Sequence, residues 1–291
     1  TNSQLDGLDF SELAYADDTA LITKNIRAMN RFLNLIETRA KRYGLHFNKS
    51  KCVSIPFNSN ARPKFSDGSV VPTVDKTKYL GGTIHAQHKI TDEIHSKIGH
   101  CMATLNRMNF FWGKANCPPR FKLQVFDAVI RSKLVYGLDT VQIPPSLMSR
   151  LNTFQLKGLR KILQMKTTFI TRANTNQKVF DSANAIFNPK QLPNKNIKPF
   201  SSYVFSKQEA LLKHIVRSTN EDPLRQATLS FNSPIPFTPV SRRVGRPRAN
   251  WSWETYKRLY VNHNYGDADT WKLNPANAVR SMESDIKNRI I

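Results

Sequence analysis

No stretch of the chain approaches the ~20 consecutive apolar residues that a membrane-crossing helix needs. No charged-then-apolar segment opens it either, so we expect no membrane partner. Cysteine is scarce: Cys52, Cys101 and Cys117 lie far apart and are odd in number, which fits neither a disulfide framework nor a four-ligand zinc site. They read as reduced thiols of an intracellular protein. Acid is scarce as well, with 21 Asp and Glu against 44 Lys and Arg over 291 residues, a formal net charge of +23. A charge of that size repels itself until a polyanion compensates it, and nucleic acid is the commonest such partner, with an anionic membrane surface as the competitor.

Against this shortage of acid, the adjacent pair Asp17 and Asp18 stands out within FSELAYADDTALIT. Leu13 and Tyr15 on one side, and Ala20, Leu21 and Ile22 on the other, read as two short strands, with Asp-Asp-Thr as the turn between them. Two like charges a few ångströms apart raise each other's pKa unless a cation neutralises them, so the pair fits a hard divalent metal with oxygen ligands. Read alone, it fits an Asp-rich surface turn equally well.

Further along, Ile26, Met29, Phe32, Leu33, Ile36 and Ala40 recur at helical spacing and predict an amphipathic helix that stops near Gly44. LHFNKSKCVSIPF reads as turn and strand, SDGSV as a hairpin turn, and KYLGGTI as a strand broken by its glycine pair. From residue 90 the spacing changes. Ile90 to Met108 marks one long helix, Pro118-Pro119 opens a second and Pro144-Pro145 a third. Residues 172–200, rich in Asn, Lys and Pro, read as an irregular connection, followed by a weak helix over 206–217. SPIPFTPVSRRVGRPRANW reads as extended linker chemistry, and Trp251 to Leu259 as a short helix. The fold class is α+β, in four parts: 1–89 mixed, 90–171 a helical bundle, 172–250 an irregular basic connection and 251–291 a helical segment.

Several of these stretches resemble, in order and spacing, the second half of the polymerase domain of non-LTR retrotransposon reverse transcriptases. YADD at 15–18 resembles the family's metal-binding hairpin, YGLHFNKSKC at 43–52 its next motif, and KYLGG at 78–82 its primer grip. LVYGLDTVQIPPSLMSRLNTFQLKGLRKIL resembles the helical region after the thumb, and RRVGRPRANW a tail near the carboxyl end. The resemblance implies a partial antiparallel palm in 1–89, a thumb and post-thumb bundle in 90–171, and an extended basic tail. It implies RNA-directed DNA polymerisation on an RNA template and an RNA/DNA duplex, with Mg2+ as cofactor. Asp17 would be a ligand of two catalytic magnesium ions and Asp18 a less tightly coordinating carboxylate, as two-metal phosphoryl transfer requires. Tyr15, expected on the same strand as Asp18, would lie under the primer end. Lys51 would stabilise or protonate the leaving pyrophosphate, with a solvated surface lysine as the alternative. Tyr79, Leu80, Gly81 and Gly82 would form the grip, where a plain β-bulge is the alternative.

The family's polymerases need a further aspartate from an earlier palm strand, and fingers. Asp6 and Asp9 stand too close to Asp17 to come from that strand, and Asp139 in YGLDT is expected in a helix far from the tip. The chain therefore reads as a piece of something longer, inactive alone, with an upstream polypeptide completing the site. Lys157, Arg160 and Lys161, with Arg150, oppose the apolar stripe of the third helix, and Arg120, Lys122, Arg131 and Lys133 that of the second. A solvated face explains many such arrangements, but the excess of positive charge favours contact with nucleic-acid phosphates. Arg242, Arg243, Arg246 and Arg248 suit either general backbone binding or minor-groove insertion by the VGRPR core. The competing function is a domesticated remnant that binds RNA as a structural part of a ribonucleoprotein. A nuclear location goes with the enzyme, an organellar or cytoplasmic one with the remnant.

Overall fold

The computed structural model describes residues 12–87, 89–192, 195–230, 235–237 and 250–262. Asp6, Asp9 and the four tail arginines Arg242, Arg243, Arg246 and Arg248 lie outside the described residues. Contacts divide the chain into two compact units, Thr1–Lys89 and Ile90–Ile291. Small antiparallel sheets in the first and helices in both agree with the α+β class.

In the first unit, β1 (Glu12–Tyr15) pairs antiparallel with β2 (Asp18–Leu21). Helix α1 (Ile26–Lys41) starts at Asn25, whose side chain accepts from the Arg27 N–H at 2.7 Å, and the chain leaves it through Gly44 at φ +72°. All six apolar residues that predict this helix are only half-buried. The stretch after it contributes isolated bridges rather than the expected strand. Its hairpin turn forms, with Gly68 at φ +83° and the Phe65 N–H donating to the Ser69 carbonyl at 2.9 Å. The turn is fastened to α1 by polar contacts: Glu37 accepts from the Ser66 N–H and hydroxyl, and Asn30 from the Lys64 N–H at 2.9 Å. Phe65 and Val71 are the buried apolar side chains among the described residues of this unit, with Pro63 beside them. A second antiparallel hairpin, β3 (Lys76–Tyr79) and β4 (Gly82–His85), closes the unit.

The second unit is helical throughout its described elements. These are α2 (Ile90–Arg107), α3 (Asn109–Gly113), α4 (Pro119–Val125), a π-helical turn (Phe126–Arg131), α5 (Ser132–Val135) and α6 (Pro145–Leu163). They are followed by α7 (Asn176–Phe187), α8 (Phe200–Arg217), α9 (Pro223–Thr228) and α10 (Trp251–Asn262). Proline opens α4, α6 and α9, where a missing N–H costs nothing. One core runs through α2 to α8 and includes Ile94, Leu105, Trp112, Phe126, Leu151, Leu159 and Phe200. A smaller one joins α8, α9 and α10 through Leu212, Ile215, Leu229, Tyr256 and Leu259. Gly158 lets α6 sit directly on the Phe126 ring, since a Cβ there would come within 2.2 Å of it. Asp139 lies in the connection between α5 and α6, not in a helix.

Within 172–250, expected to be largely irregular, α7 and α9 are helices that the spacing does not predict, and the expected helix over 206–217 forms as α8, beginning six residues before Ser206. In α7 the helical pair Val179 and Ala183 is fully buried, and Thr175 caps the start by accepting from the Lys178 N–H. The asparagines that made the stretch look structureless hold it together. Asn184 brackets the Ile197 backbone through both its amide groups, accepting the N–H at 2.7 Å, while Asn188 donates to Leu192 and Asn196. Short polar side chains that bond to backbone build ordered loops as readily as they discourage helices.

Candidate active site and nucleic-acid surface

The β1–β2 register places Tyr15 opposite Asp18, so the turn is Ala16-Asp17 and not Asp-Asp-Thr. Ala16 takes φ +52°, the left-handed value that a two-residue hairpin loop requires of its first position. Asp17 therefore sits in the turn itself and Asp18 begins β2, both exposed. Tyr15 ends the opposite strand rather than sharing one with Asp18, and its ring is 67% exposed. The strain of a non-glycine residue at positive φ costs on the order of 1–2 kcal/mol. The turn sets the two carboxylates on adjacent residues at the hairpin tip. Two exposed carboxylates suit Mg2+, which keeps several waters and binds through one or two carboxylates plus substrate phosphates. Among the described residues no third His, Cys, Asp or Glu joins them.

The second hairpin turns at Leu80-Gly81, with φ +47° and +78°. Two consecutive left-handed residues are the signature of a two-residue turn, so KYLGG forms a hairpin tip and not a bulge. The turn demands Gly81. Gly82, where a Cβ would meet the Tyr79 carbonyl at an ordinary 3.7 Å, is not demanded. Tyr79 reaches further: its hydroxyl donates to the Leu13 carbonyl at 3.2 Å, tying the KYLGG hairpin to the hairpin that carries Asp17 and Asp18. Nothing in the residue pattern announces this bond across 66 positions.

Lys51 is exposed and makes no side-chain hydrogen bond or ion pair among the described residues. Its neighbour Lys49 is committed to structure, pairing with Asp67 at 2.5 Å and lying over the Phe65 ring. That pairing holds the Asp67 carboxyl well below its ordinary range, and the Ser66 hydrogen bonds, foremost the hydroxyl, lower that of Glu37.

The basic helix faces divide in the same way. Lys157 is exposed and Lys161 half-exposed, as a phosphate contact requires. Arg160 instead donates to the Asn174 carbonyl at 3.2 Å and the Asn176 side chain at 2.9 Å, bracing the path into α7. Arg150 contacts His95. Lys122 is buried, its ammonium capping the Trp112 carbonyl at 3.1 Å. Arg131 makes a two-point pair with Asp127, which raises its pKa, and stacks on Tyr203. Lys133 reaches the Thr104 hydroxyl at 3.5 Å, and Arg120 stays exposed.

Comparison with known proteins accords with this geometry. Residues 3–84, which hold the first hairpin, Lys51 and all but the last residue of the second hairpin, match the family of reverse transcriptases, RNA-dependent DNA polymerases. The RNA-directed DNA polymerase from mobile element jockey of Drosophila melanogaster is 26% identical over 173 residues, which is 55% of this chain and 19% of that protein. A transposon-derived protein of Caenorhabditis elegans is 24% identical over 176 residues, 57% of this chain and 61% of that protein. The chain thus spans less than two thirds of either relative. No solved structure matches it. Ordered motifs, matched span and relatives point the same way: residues 3–84 match the reverse transcriptases, and the relatives of the chain are a mobile-element RNA-directed DNA polymerase and a transposon-derived protein.

Proposed function

We propose that the chain is the portion of a retroelement RNA-directed DNA polymerase that runs from the catalytic hairpin through the thumb. The observation that supports this reading is the Tyr79–Leu13 bond, which ties the KYLGG hairpin to the hairpin that carries the two carboxylates. Asp17 and Asp18 hold Mg2+, which when bound neutralises the charge of the transferring phosphoryl group. Tyr15 and the Leu80-Gly81 turn orient the primer end against that tip. Lys51, the uncommitted member of the lysine pair, stands ready to offset or protonate the leaving pyrophosphate. Lys157 and Lys161 hold the RNA template and the RNA/DNA duplex by phosphate contact, with affinity that falls as salt rises. A complete ion site needs a further carboxylate, so the 291-residue chain alone does not polymerise. A polypeptide that supplies the carboxylate and fingers also suits the half-covered apolar face of α1.

The second reading, an RNA-binding remnant without chemistry, is favoured by the grouping of only two carboxylates among the described residues. Primer extension separates the two readings. We expect no incorporation by the chain alone with Mg2+ or Mn2+, and incorporation once it is fused behind the fingers and early palm of a non-LTR enzyme, abolished by Asp17→Asn. A fusion that binds template–primer but never extends it supports the remnant. A nuclear location accompanies the polymerase reading, an organellar or cytoplasmic ribonucleoprotein the other.

A further inference from the structure

Between α6 and α7, past Met165, which still packs against the core, the chain makes a loop over 166–172 whose side chains are all exposed. It is well ordered by its own bonds: the Ile170 and Thr171 N–H groups both donate to the Thr167 carbonyl, at 3.0 and 2.9 Å. Asn174 closes it by donating to the Lys166 carbonyl at 3.0 Å, and Arg160 braces Asn174 in turn. At its apex Phe169 is 97% exposed, with Ile170 beside it at 65%. A phenylalanine left in water forgoes the gain of burial.

The surroundings say what would cover it. Residues 140–180 contain seven Lys and Arg and not one Asp or Glu. Lys166 and Arg172, three residues before and after Phe169 in the chain, are both exposed. Gln164, at the base of the loop, donates to the Gly113 carbonyl at 3.2 Å and so fastens it to the end of α3, where Phe110 is 70% exposed beside Lys114. Bare aromatic faces among uncompensated cations match a ligand with flat π-faces on an anionic backbone. An apolar protein groove has no use for the cations. A duplex has its bases stacked away and offers the ring nothing.

We propose that the 166–172 loop is a single-stranded nucleic-acid platform on which a base stacks against Phe169 while Lys166 and Arg172 contact the flanking phosphates. This deepens the proposed function in the class of ligand only and makes no use of Asp17 or Asp18. The test is anisotropy titration of the full chain with a ~20-nucleotide fluorescein-labelled oligo(dT), the matching oligo(U), and a hairpin duplex of similar length, each at several salt concentrations. Phe169→Ala should weaken single-strand binding by about 5-fold to 140-fold at an unchanged salt slope, leave duplex binding within about 2-fold, and be rescued by Phe169→Trp. Replacing Lys166 and Arg172 with Ala should lower the single-strand slope by about 1.4. Three results overturn the proposal: unchanged strand binding by Phe169→Ala, an equal loss for strand and duplex, or an effect confined to self-association in sedimentation. Circular-dichroism melts confirm that the exposed substitution leaves the fold intact. A fusion that never extends the primer would refute the polymerase reading and leave these titrations standing, and an unaffected Phe169→Ala would do the reverse.

Discussion

The unit that carries the carboxylates is the one with little core of its own. Its α1 face is half-covered, Leu13, Ile22, Leu45 and Phe57 are exposed, and its order rests on turns, the Glu37 contacts and the Tyr79 bond. The helical unit buries Trp112, Phe126, Leu151 and Phe200 in a continuous core and spends even its charges, Lys122, Arg131 and Arg160, on internal bonds. A hairpin tip holds reactive groups outside any core, where acids stay hydrated and substrate can reach them. Burial elsewhere must then supply stability.

The largest test of that contrast is Leu151→Ala, which should cost about 2–5 kcal/mol in urea unfolding followed by tryptophan fluorescence. All four tryptophans fall after residue 90 of the sequence, and the three that are described lie in the helical unit. Ile22→Ala, at a side chain 47% exposed, should cost no more than about 0.5 kcal/mol in amide exchange of the hairpin. Similar losses at the two sites would erase the distinction between the units.

Gly158→Ala comes next. Helix propensity alone gains up to about 1 kcal/mol, but the clash with the Phe126 ring should turn the sign to a loss of about 1–3 kcal/mol. Because that ring stacks on Phe200 at 6.1 Å, it cannot slide away freely. A double-mutant cycle with Phe126→Leu should recover part of the loss, and strict additivity would show that the ring is not the obstacle.

A smaller effect, of about 1–2 kcal/mol, belongs to Glu37. Its carboxyl is lowered from an ordinary 4.5 in the folded chain, so the unfolded chain binds the proton more tightly. The stabilisation is then fully present above about pH 4.5 and is lost as pH falls through the lower folded value. Protection of the Ser66 amide should fall over that acid range, and Glu37→Gln should flatten the dependence. A Ser66 protection profile that is the same in both chains would separate the turn from Glu37.

Tyr79→Phe should be the mildest, about 0.5–1.5 kcal/mol, read as faster amide exchange over Glu12–Leu21 with no change in the tryptophan-monitored transition. If that transition moved as well, the bond would matter beyond the first unit.

The sequence by itself determined the motifs and most helix limits. YADD and KYLGG name their hairpins, and the prolines at 119 and 145 open α4 and α6, because turn chemistry and apolar spacing act over a few residues. Even there a register shift of one residue moved Asp18 out of the turn, since which residue takes positive φ depends on how the two strands pair. Helix α7 escaped notice because its asparagines read as loop formers until Ile197 supplied their partner. Only the tertiary structure decided which cations are free. Lys122 and Lys157 look alike on their helices, yet one caps a carbonyl inside the core and the other faces water. The physical reason is range: a backbone turn closes on its neighbours, whereas a charged side chain takes whatever partner the packing of distant segments brings within 3 Å or so. The same holds for Phe169, an ordinary residue in the sequence whose near-complete exposure only the folded loop reveals.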